Sequence, residues 1–118
     1  MVCNAMDIEF TAEPCGHIVA WERQFGTREG RFIVDTDGSV SYWHHWDRKF
    51  WHAGATIDQF RACAAAWNRR VADGQGMPED AQLAAVARLR AFLEDAGVLQ
   101  VDNSVWSVFL EQAEQGML

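Results

Sequence analysis

The chain has 118 residues, 49% of them apolar and 23% charged, a balance that suits one globular domain and excludes a disordered chain. Ten basic residues against seventeen acidic ones leave a net charge of −7, which disfavours a polyanionic partner, so no nucleic-acid role is expected. The longest unbroken apolar run is the six residues Ala62 to Trp67, so no membrane span is expected either.

Met1-Val2-Cys3-Asn4-Ala5-Met6-Asp7 has neither a basic start nor an apolar stretch, so no secretory leader is expected. Three cysteines, Cys3, Cys15 and Cys63, are an odd number without a C-x-x-C pair. That pattern points away from a disulfide framework and towards a reducing cytoplasm. Cys63 lies among alanines and reads as a small core residue.

In chain order, the first half reads as strand and turn. Ile8 to Phe10 is a short first strand. In His17 to Phe25, the side chains of Val19, Trp21 and Phe25 share one face at period two. Gly26 to Gly30 reads as a turn and Arg31 to Asp35 as the next strand. Asp37-Gly38 between β-rich runs predicts a hairpin. Ser39 to His45 follows, with Val40, Tyr42 and His44 facing one way and Ser41, Trp43 and His45 the other. The charged turn Asp47-Arg48-Lys49 leads into Phe50-Trp51-His52. Together these predict an antiparallel meander of three to five strands over about 8–55.

From 56 onward the signals are helical. Thr56 is a predicted N-cap, and Gln59 completes a capping box. Ile57, Phe60, Cys63, Ala64, Trp67 and Val71 mark a buried stripe that Asp73-Gly74 ends. A second helix opens at Pro78 with Glu79 and Asp80 in its first turn. Its buried face is predicted as Leu83, Val86, Leu89, Leu93 and Ala96, and its stop as Gly97. Asn103 or Ser104 caps a third helix that buries Trp106, Phe109, Leu110 and Ala113 and ends at Gly116. The expectation is a single α+β domain over 1–118, an antiparallel β-meander covered on one side by about three helices.

Several stretches resemble the SUKH superfamily of bacterial polymorphic-toxin immunity proteins, over roughly residues 31–118. Phe32 to Trp43 is similar to that family's acidic-Gly hairpin and aromatic strand. Ala55 to Phe60 is similar to the start of the helix that follows the sheet, and Val105 to Leu118 to the closing helix of some members. The family's opening helix and Leu-Pro segment have no counterpart here. The resemblance implies binding and neutralising a cognate toxin, often a nuclease, and carries no shared catalytic residues.

His44, His45 and His52, with Asp35, Asp37 and Asp47 near in sequence, invite a metal reading. Spaced Cys/His pairs and His-Glu-x-x-His are both missing, and adjacent strand residues face opposite ways, so no metal is expected. Asp35-Thr36-Asp37-Gly38 shares its spacing with the start of an EF-hand loop but lacks the downstream ligands, so a hairpin turn is expected. No serine has a nucleophile-elbow setting, and Cys15 with His17 lacks an orienting third group. Neither an enzyme nor a cofactor is expected.

The densest feature is Tyr42 to His52, with five aromatics and three histidines in eleven residues. Trp and Arg anchor protein interfaces, so Trp43, His45, Trp46 and Trp51 are candidate partner contacts. The same aromatics would alternatively split between core and a homodimer contact. The carboxylates Asp35, Asp37, Asp47, Glu94 and Asp95 are candidates to meet a basic protein. The expected function is an acidic immunity protein that masks a toxin. Another inhibitor or adaptor, such as a phage anti-defence protein or a secretion chaperone, is the alternative, and a metal-binding enzyme a weaker one.

Overall fold

The computed structural model describes residues 6–116, and the backbone alone at 12–15. Cys3, the side chain of Cys15 and the last two residues of the predicted closing segment lie outside what is described. Five antiparallel strands run in chain order: β1 (Asp7–Cys15), β2 (Ile18–Gln24), β3 (Thr27–Val34), β4 (Val40–His44) and β5 (Lys49–Gly54). Three helices follow: α1 (Ile57–Gly74), α2 (Glu79–Ala96) and α3 (Val105–Glu114). The α+β fold is as expected. The strands are joined by short turns, because antiparallel neighbours need no crossover.

The β2–β3 turn differs from the sequence reading. It is not Gly26 to Gly30 but the two residues Phe25 and Gly26, with φ of 53° and 76°. Two successive positive φ values form the mirror-image turn whose twist matches a hairpin. Gly26 supplies one of them freely. Phe25 takes the other at some cost and lies 74% exposed. Gly30 and its neighbours thereby become strand.

Burial settles which face of β2 turns to the core, a point that the alternation leaves open. Ala20 and Glu22 are buried, while Trp21 lies on the opposite side. Glu22 accepts a hydrogen bond from the Tyr42 hydroxyl and one from Gln24 Nε2 at 2.8 Å, so a buried carboxylate occupies a core-facing position.

α1 begins as predicted. Thr56 Oγ1 accepts from Gln59 N at 3.0 Å. Gln59 Oε1 reaches back to Ala55 N at 2.7 Å, one residue before the usual capping-box partner. Its stripe of Phe60, Cys63, Ala64 and Trp67 is buried against the sheet. Burial pushes the Cys63 thiol up to about 11, which leaves it unreactive. In α2, Pro78 is the N-cap rather than the first helical residue, and Gly97 closes the helix at φ 74°. Leu83, predicted buried, is 53% exposed, because the inward arc of α2 runs through Ala85, Val86, Leu89 and Leu93. Ser104 caps α3 by position alone, with no side-chain hydrogen bond to the helix.

The helices and the loop before α3 tie down part of each sheet edge. At β1, Asn68 of α1 accepts from Ile8 N and donates to Ile8 O, both at 2.8 Å, and Trp67 Nε1 donates to Met6 O at 2.7 Å. At β5, Trp106 Nε1 donates to Ala53 O, and His52 N donates to Asn103 O, both at 2.7 Å. These bonds occupy edge groups that would otherwise template pairing with another chain. Between the edges lies an aromatic core. The Phe32 ring is 4.8 Å from Phe60 and 5.1 Å from Tyr42, and Phe109 is 5.4 Å from Tyr42.

Candidate partner-binding surface

All three helices lie on one side of the sheet, and none of the described elements covers the other. Strand alternation decides what is displayed there. Tyr42 faces the core, so Trp43 faces out. The register then places Glu9, Trp21, Arg31, Trp43 and Phe50 side by side across the five strands. At ordinary strand spacing this row is roughly 19 Å long. Trp43 and Phe50 touch, with centroids 4.9 Å apart. Phe50 is 59% exposed. Arg31 lies between Trp21 and Trp43 and, among the described residues, makes no ion pair.

The charges beside the row are largely matched. Arg23 holds Asp7 through two bonds of 2.6 and 3.0 Å. Arg28 bonds Glu9 at 2.8 Å and stands over the Trp21 ring at 5.1 Å. The Arg28 guanidinium keeps the Glu9 carboxyl below its ordinary range. Arg31 is therefore the cation in the row that has no ion pair among the described residues.

The residues expected to form one patch separate into several places. Trp43 belongs to the open row. Trp51 lies opposite Tyr42, on the helix side, and packs partly buried against the core. Its indole donates to Asp47 Oδ2 at 3.0 Å, and Lys49 Nζ stands 4.1 Å over its ring. Trp46 projects from the β4–β5 turn at 80% exposure, with the His45 ring 5.3 Å away. Asp35 and Asp37 lie at the other end of β4, about 17 Å off for a five-residue strand. Both organise the β3–β4 turn. Ser41 Oγ donates to Asp35 and Ser39 Oγ to Asp37, each at 2.6 Å, and Ser39 holds the Asp37 carboxyl below its usual range. Glu94 and Asp95 are on α2, on the helical side. Glu94 pairs with Arg90 at 3.2 Å, and Arg90 also binds Glu114 at 2.7 Å.

Trp21, Arg31 and Phe50 complete the row and are not among the candidates that the sequence offers. A usable signal existed in the alternation Gly30, Phe32, Val34 against Arg31, Ile33, which puts Arg31 opposite a core phenylalanine. Among the described residues, no group of three or more His, Cys, Asp or Glu side chains is placed to hold a metal ion. His44 and His45 stack at 4.7 Å, but His44 Nδ1 accepts from Trp46 N at 3.0 Å and so serves the turn.

Tyr42, the strand neighbour of Trp43, points to the opposite side, into the core. Burial first, and the Glu22 carboxylate next, raise its hydroxyl far above the ordinary 10.0. A phenol held neutral in the fold but free to ionise in the unfolded chain contributes stability that is fully present below pH 10 and lost as pH rises above it. The expected slope is about 1.4 kcal/mol per pH unit. Tyr42 is the only tyrosine in the sequence, so phenolate absorbance reports it alone. That absorbance should stay silent through pH 11 and appear together with the loss of near-ultraviolet dichroism. A smooth titration near pH 10 in folded protein would show the hydroxyl to be solvated.

No protein-family model matches the chain, and no curated protein or solved structure is found to be similar to it.

Proposed function

We propose that this chain is a protein-binding domain of the immunity type, which holds and neutralises a toxin on the open face of its sheet. The observation that carries the binding reading is the uncovered row Trp21, Arg31, Trp43, Phe50. Large, stiff aromatics around an arginine are the composition of interface hot spots. The helices stand on the opposite side of the sheet, so this face is a broad surface open to a partner. The resemblance of residues 31–118 to the SUKH superfamily supports a toxin as that partner. The net charge of −7 suits attraction of a basic protein over distance, while contact itself falls to aromatic rings and Arg31. Stacking on unpaired bases suits the same residue types, but the net charge opposes it.

The test is capture from the native lysate with wild-type, Trp43→Ser and Arg31→Glu baits. One stoichiometric protein should be retained by the wild type and lost by both variants. It should be toxic when expressed alone and harmless when co-expressed with this chain. Trp43→Ser should weaken that complex by roughly thirtyfold, the scale of a hot-spot truncation. Equal retention by all three baits would remove the open face from the interface. A retained partner without toxicity would leave an adaptor or inhibitor of another kind.

A further inference from the structure

On the far side of the molecule, α1 and α2 leave a groove between them of about 340 Å³. Its origin lies in residue size. The helices are held together at both ends. At one, Gly74 is buried against Gln82, where an added Cβ would stand 3.6 Å from Cγ. At the other, Gln59 Nε2 donates to Ala96 O at 3.2 Å. Between these clamps α1 presents Ala62, Ala65 and Ala66, and α2 presents Ala85, with Leu89 and Phe92 beside it. Methyl groups are too short to fill the space, so an apolar floor stays accessible. Phe92 stands at its side, 41% exposed.

The rim has the opposite charge to the chain as a whole. Arg69, Arg70 and Arg88 line the groove with one carboxylate, Asp73, in a protein of net charge −7. Asp73 meets Arg88 at 3.5 Å. Arg69 is exposed and has no ion pair among the described residues. A floor without polar groups beneath a basic rim selects a ligand with an apolar stem and an anionic head. The volume is at the small end of ligand pockets. We infer that the α1–α2 groove binds a small amphiphilic anion, an acyl or aryl carboxylate. Its stem lies on the alanine floor and its head lies between Arg69 and Arg88. This site is separate from the open sheet face and does not depend on the toxin reading.

The experiment uses the full chain, with anilinonaphthalene sulfonate as fluorescent probe and decanoate as competitor. One saturable site is expected, from which decanoate displaces the dye and decanol displaces it at least tenfold less well. Ala65→Phe, a substitution at an exposed helical position, should fill the groove and weaken dye binding more than tenfold with helical dichroism unchanged. Ala62→Phe serves the same purpose should that variant misfold. Arg69→Glu should weaken decanoate roughly tenfold, the loss of one charged hydrogen bond, and leave decanol unaffected. Trp43→Ser should leave all of these values unchanged. Unaltered dye binding in a folded Ala65→Phe or Ala62→Phe chain would overturn the site. So would dye binding lost in Trp43→Ser, which would place the probe on the sheet. Equal affinity for decanoate and decanol would overturn the anion preference.

Discussion

Trp106→Ala should cost about 3–5 kcal/mol, the range for emptying a fully buried large aromatic site. Trp106 is completely buried. Its ring lies 5.9 Å from Phe109, 6.3 Å from Phe60 and 6.4 Å from Phe32, so the cavity would open where α1, α3 and the sheet meet. Its indole also donates to Ala53 O at 2.7 Å, the bond that fastens α3 to β5. Truncation leaves that carbonyl without its donor, a further cost of roughly 1–3 kcal/mol if no water replaces it. Domains of this size are stable by only about 5–15 kcal/mol, so the variant should be marginal or unfolded at room temperature. The check is urea unfolding: a midpoint lower by about 2 M or more, with the slope unchanged. Trp106→Phe keeps most of the packing and loses the bond, so it should fall between. Leu83→Ala, on the exposed side of α2, should cost less than about 0.5 kcal/mol. A Trp106→Ala midpoint equal to that of Leu83→Ala would remove Trp106 from the centre of the core.

That contrast shows where the sequence was readable. The stripe Phe60, Cys63, Ala64 and Trp67 repeats at helical spacing, Thr56 and Gln59 cap it, and the structure buries it as the period requires. Leu83 misled because α2 packs along one narrow arc, and a leucine beside that arc looks the same in sequence as one within it. In β2 the alternation itself was legible but its sense was not. Period two puts Trp21 and Glu22 on opposite faces without saying which is inner, and the fold buries Glu22, to which Tyr42 and Gln24 supply donors. No local pattern announces a donor twenty positions away. The candidate surface was legible in the same partial way. The parity of Tyr42 and Trp43 was correct, and it alone assigns Trp43 to one face. Sequence proximity groups Trp46, Trp51, Asp35 and Asp37 with it. The five residues of β4 instead separate the two turns, which lie at its opposite ends, and the pleat puts Trp51 on the far side. Arg31 and Trp21 join Trp43 only through cross-strand register, which a single sequence does not contain.

Gly30→Ala should destabilise by about 2–4 kcal/mol, although a glycine inside a strand is ordinarily a weakness. Two effects oppose each other. Alanine at a compatible backbone position restricts the unfolded chain and stabilises by about 0.4–1 kcal/mol. Against this, a Cβ at position 30 would lie 2.5 Å from Tyr42 Cε1 and 2.6 Å from both the Tyr42 hydroxyl oxygen and Glu22 Oε1. Neither neighbour can swing aside cheaply. Tyr42 is 5% exposed with Phe32 and Phe109 against its ring, and Glu22 is 3% exposed. Overpacking of this kind typically costs about 1–3 kcal/mol. Here the displaced group is also the hydroxyl that satisfies a buried carboxylate, so separating the pair adds part of a buried polar penalty. The clash therefore wins over the entropy gain. A double-mutant cycle identifies the cause. Tyr42→Leu removes two of the three atoms that the new methyl strikes and leaves Glu22 Oε1, so Gly30→Ala should cost at least about 1 kcal/mol less when combined with Tyr42→Leu than when made alone. Additive costs would mean that the methyl is accommodated and the damage lies elsewhere in the strand. A Gly30→Ala chain more stable than wild type would mean that the Tyr42 ring does not close over Gly30.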